Sequence, residues 1–92
     1  MISDRNPQRE ALRTELFGLI EDTDPAEMSV HWDRIRDAGY RVAGIATWST
    51  QSCQTLAEVA TEVAGAETDP RLITAAQRVA VIAAELTPFA TH

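Results

Sequence analysis

Three times in this chain an Asx residue stands directly before proline: Asn6-Pro7, Asp24-Pro25 and Asp69-Pro70. The Asx side chain accepts hydrogen bonds from the unpaired amides of a first helical turn. The proline that follows has no N–H to lose, and its φ is already helical. Asp24 also has Glu27 three residues on, the spacing of a capping box. Each pair precedes a stretch whose apolar residues recur at helical spacing, so the chain is punctuated as a series of helices.

Helix one is expected over about 7–20, with Leu12, Leu16, Leu19 and Ile20 on one face and Phe17 widening it. The link Glu21-Asp22-Thr23-Asp24 is short, which favours an antiparallel return. Helix two is expected over about 25–38, with Met28, Trp32 and Ile35 inward and His31 at the margin. Gly39 reads as a left-handed C′ residue, and Tyr40 as the hydrophobic contact of that helix end. Helix four is expected over 70–86, carrying Leu72, Ala76, Val79, Ala83 and Leu86 on one face. Thr87-Pro88 ends it, because a residue before proline is pushed out of the α region. Residues 1–5 and 89–92 read as loose ends.

Residues 40–64 admit two readings. Tyr40, Val42 and Trp48 alternate like a strand, but no other segment offers a strand partner for the backbone groups. Val42, Ile45, Ser49, Ser52, Leu56, Val59 and Val63 hold 3–4 spacing throughout. One long helix over 41–64 is the expectation, overhanging its neighbours and leaving a flank for a second copy or a partner. The predicted fold is therefore all-α: a compact antiparallel bundle of about four helices with a long third helix, in a single domain over 1–92.

Composition sets how such a bundle can pack. Hydrophobic residues make up 45% of the 92, but fifteen of those positions are alanine, and Leu, Ile and Val occur six times each. The core must be thin, with helix three supplying a small-residue face for close approach. Fourteen acids oppose eight bases, all of them arginine, for a net charge of −6. That balance argues against a sequence-independent grip on nucleic-acid phosphate. A helix-turn-helix reading of 56–79 meets the same objection, since Arg71 and Arg78 stand beside Glu67 and Asp69. No apolar run reaches the ~20 residues of a membrane span, and the single cysteine excludes an internal disulfide. A cytoplasmic protein that binds neither membrane nor nucleic acid is the expectation. The alanine-rich, arginine-only composition resembles that of proteins from GC-rich bacterial genomes.

Chemical signatures are sparse. Gly18, Gly39, Gly44 and Gly65 are isolated, and the chain has no lysine for phosphate or Schiff-base work. Glu27 and His31 lie one turn apart, but only Cys53 and His92 add soft ligands; no metal, cofactor or catalytic residue is assigned. Cys53 is expected to face inward as a small hydrophobe. The residues marked for partner binding are Trp48, Val30 and Val81 as an apolar patch, with the acids Glu21, Asp22, Glu58 and Glu62. Trp48 is expected at the margin of its stripe, half exposed as an interface anchor.

The function these features suggest is a non-catalytic protein-interaction or regulatory helical module, as a monomer or homodimer, whose protein partner has a basic surface. One alternative is a small acidic inhibitor, of the anti-defence type carried by phages or mobile elements, that blocks a basic nucleic-acid-binding machine. The other is a small subunit or minor enzyme using Cys53 and His31.

Overall fold

The computed structural model describes residues 7–22, 30–43 and 48–90. Four α-helices account for most of them: α1 (Pro7–Asp22), α2 (Val30–Ala43), α3 (Thr50–Ala66) and α4 (Pro70–Leu86), with a 3-10 turn at Thr87–Phe89.

Polar contacts fix the directions in which the helices run. Arg13 of α1 reaches the Ala43 carbonyl at the end of α2, and Arg36 reaches the Ile20 carbonyl at the end of α1, so these helices are antiparallel. Arg34 pairs with Glu62, setting α3 antiparallel to α2. Trp48, just before α3, bonds to Leu86 at the end of α4, so this pair is antiparallel too. Arg78 on Glu15 ties α4 back to α1 and completes an up-down-up-down bundle.

One core runs through all four helices. Leu12, Leu16 and Ile20 meet Trp32, Ile35 and Val42 from α2, Leu56 and Val63 from α3, and Val79, Ile82 and Leu86 from α4. The α3–α4 pairing is the most extensive. Ala60 of α3 and Ala76 and Ala83 of α4 are buried, and Ala57, Ala64, Ala75 and Ala80 pack partly against the same core. Short side chains let the two backbones approach, as the composition requires.

The Asp69-Pro70 start holds as read. Asp69 Oδ1 accepts from the Arg71 amide at 2.9 Å, with Pro70 as the first helical residue. Asn6, and Asp24 with Glu27, lie outside the described residues, as do residues 1–5, 25–29 and 91–92.

Three expectations are corrected. Helix two does not end at Gly39: α2 continues to Ala43, and no glycine among the described residues has positive φ. Gly39 serves close approach, since a Cβ there would sit 3.1 Å from Ile20 Cγ2. The 41–64 helix is two elements, α2 ending at Ala43 and α3 starting at Thr50. Ser49 makes the new start, extended at ψ 159° with Oγ accepting from the Ser52 amide at 3.0 Å. The 17-residue α3 matches α4 in length, so the overhang that called for a covering partner is absent. Residues 89–90 are not loose, because Phe89 and Ala90 pack against the core.

Segment 70–89 is also more apolar than the sequence reading allowed. This 20-residue segment contains an 18-residue window of mean hydropathy 1.2, which suffices, by length and composition alone, for a membrane span. In the bundle that apolarity has another use, with Ala76, Val79, Ile82, Ala83 and Leu86 buried against the other helices.

Candidate functional site

The end of the bundle formed by the start of α1, the end of α2, the start of α3 and the end of α4 is closed by Trp48. It is 1% exposed, which overturns its expected role as a half-exposed anchor. Its indole N–H donates to the Leu86 carbonyl at 3.2 Å, satisfying one of the carbonyls a helix end leaves open. The guanidinium groups of Arg9 and Arg13 lie 4.5 and 5.7 Å from its ring centre, within cation–π range. Arg13 also donates to the Ala43 carbonyl at 2.9 Å. Trp48 is thus a structural plug, and it forms no surface patch with Val81. Val81 is exposed as expected, at 45%, while the side chain of Val30 lies outside the described set.

The two candidate chemical side chains are not brought together. The register set by Arg34–Glu62 places His31 opposite residue 65, so Cys53 lies roughly 18 Å away along the bundle at ~1.5 Å per residue. Cys53 is fully buried, and that burial pushes its thiol above the ordinary value despite a compensating contact from Thr87. A nucleophilic cysteine needs an accessible thiolate, and this environment opposes one. Among the described residues no three His, Cys, Asp or Glu side chains gather as a metal site.

The acidic positions divide by partner. Glu62 is engaged by Arg34 at 3.0 Å, and Glu15 by Arg78 at 2.7 Å. The Arg78 hydrogen bond holds the Glu15 carboxyl below the usual carboxylate range, and Arg71 does the same for Asp69. Glu10 takes Arg9 and Arg13, and Asp37 takes Arg41. Every described arginine is therefore committed to a carboxylate or, for Arg36, to a helix-end carbonyl. Asp33, Glu58 and Glu85 have no ion pair among the described residues. Asp22 closes α1, its side chain outside the described set.

One group was missed from sequence. Phe17, read as widening the inward stripe of helix one, is 42% exposed. Its ring stands edge-on to Tyr40 of α2, centres 6.0 Å apart at 72°. The Tyr40 hydroxyl donates to the Glu21 carboxylate, and that bond raises the Tyr40 pKa. Beside Phe17 lies an open hollow lined by Glu10, Arg13, Thr14, Gly18 and Ala43. A signal for this face was present: Glu10, Thr14, Phe17 and Glu21 follow i, i+4, i+7, i+11, which puts Phe17 on the polar side of its helix.

Comparison with protein families, with curated proteins and with solved structures yields no match. The functional reading rests on the residues themselves.

Proposed function

We propose that this chain is a non-catalytic protein-interaction or regulatory module, cytoplasmic, whose helix faces meet a partner with a basic surface. The observation that supports it is the commitment of every described arginine to a partner inside the chain. The chain carries a net charge of −6, and complementary charge raises association rate and selects partners. The test is capture from cells with the intact chain across a salt series, with mass measured by light scattering. Retention of a basic protein, weakened by salt, is the expected result. A strict monomer that retains nothing overturns the reading.

A second reading, an acidic inhibitor seated in the basic groove of a nucleic-acid machine, draws on the carboxylates Asp33, Glu58 and Glu85, which have no ion pair within 4.0 Å among the described residues. It predicts that DNA or RNA competes with the partner for this chain. Binding that neither nucleic acid nor salt disturbs removes it.

A further inference from the structure

The outer face of the α1–α2 pair has two properties found together nowhere else among the described residues. It exposes a large aromatic side chain, and a carboxylate in no ion pair with a described residue borders it. Phe17 is held edge-on by Tyr40, so its ring is presented rather than folded away. Glu21 lies one turn beyond Phe17, is exposed, and makes its hydrogen bond to the Tyr40 hydroxyl. Asp33 and Tyr40 share a face of α2 at i and i+7, adding an acid to the same flank. Gly18 leaves the space beside Phe17 open.

We propose that this face is a docking site for an arginine-bearing segment of a protein partner, with a guanidinium stacked on the Phe17 ring beside Tyr40 and forked by the Glu21 carboxylate. The inference rests on the interaction-module reading and names the chemistry of its partner. A guanidinium is planar, stacks on aromatic rings and pairs with carboxylates at once, which an ammonium does less well. The chain makes the same contact internally, where Arg9 and Arg13 lie over Trp48 and share Glu10. At Phe17 the aromatic and the acid are in place, while the two arginines nearest to them are held elsewhere: Arg13, at the hollow, by the Ala43 carbonyl and Glu10, and Arg36, whose charge reaches Tyr40, by the Ile20 carbonyl. Every described arginine already has a partner within its own chain, which disfavours the described arginines of a second copy as the occupant.

The test titrates the intact chain against a synthetic amphipathic helical peptide carrying arginines at i and i+4 beside leucines, and against its counterpart with every arginine replaced by citrulline. Saturable binding of the arginine peptide is expected. It should fall at least about tenfold for Phe17→Ala, the loss expected of a hot-spot residue, and also fall for Glu21→Gln. Phe17→Leu, which keeps apolar bulk without a π face, should bind weakly as well, and Val81→Ala should bind as the parent does. No saturable binding, equal affinity for Phe17→Ala, or equal affinity for the citrulline peptide overturns the proposal. So does a concentration-dependent mass that Phe17→Ala abolishes, which would assign the face to a second copy. If a partner captured from cells is kept by Phe17→Ala and Glu21→Gln, the docking site falls while the module reading stands. If the parent chain retains nothing, the module reading itself falls.

Discussion

At the scale of single residues, Trp48 shows how one side chain can override a periodic pattern. Its ring completes a core short of large groups, and its N–H and π face satisfy a carbonyl and two guanidiniums. Trp48→Ala should cost about 3–5 kcal/mol, the usual loss for a buried tryptophan. Trp48→Phe keeps most of the volume but leaves the Leu86 carbonyl without its donor, for a loss of about 1–2 kcal/mol. Denaturant unfolding of both variants checks this, and a Trp48→Ala loss under 1 kcal/mol would contradict the plug. Neither the burial nor the bonds could be read from the chain, because Leu86 lies 38 positions away. Trp32 was readable as core, since its neighbours Ile35 and Ala38 repeat on one side of a single helix.

Among the elements, the two glycines inside helices separate propensity from packing. Gly65 lies in the last turn of α3 with nothing within 4 Å of a built Cβ, so Gly65→Ala should stabilise by about 0.5–1 kcal/mol. Gly39 has the same propensity to recover, but its Cβ would meet Ile20 Cγ2 at 3.1 Å and Cδ1 at 3.2 Å. Ile20 is fully buried and has little room to yield, so Gly39→Ala should be neutral or destabilising. Thermal unfolding of the pair decides the matter, and equal gains at both sites would contradict the close α1–α2 approach. Asp69-Pro70 and the apolar stripe of α4 were readable because cap, proline and stripe are local. The α2–α3 break was not, because 3–4 spacing that continues through residues 42–63 fits one helix or two in register. Ser49 was read for its position on an inward face, whereas its hydroxyl caps α3.

For the whole molecule, the charge imbalance is organised by cross-helix pairs. Glu15 on Arg78 clamps α1 to α4 across 63 positions, and its folded pKa lies below the ordinary value. The unfolded chain therefore binds this proton more readily than the folded one. The stability it brings is fully present above the unfolded value near ~4.3 and is lost as pH falls through the lowered folded value. Glu15→Gln should lower the melting temperature modestly at pH 7, as befits an exposed pair, with the difference shrinking in 1 M salt. Below about pH 4 the parent curve should fall toward the variant's. Parallel curves from pH 7 to pH 2 would show that the pair contributes nothing.

What the sequence determined by itself was everything carried by near neighbours: helical class, one proline-marked start, the inward stripes and the need for small-residue packing. These follow from the 3.6-residue period and from capping, which act within a turn or two. Only the tertiary structure decided where the continuous 40–64 pattern breaks, that Trp48 goes inside and Phe17 outside, and which acids keep a cation. The places of Trp48 and Phe17 and the partners of Glu15 and Glu62 depend on a group from another helix, Leu86, Tyr40 or a distant arginine, whose distance in space no local spacing encodes.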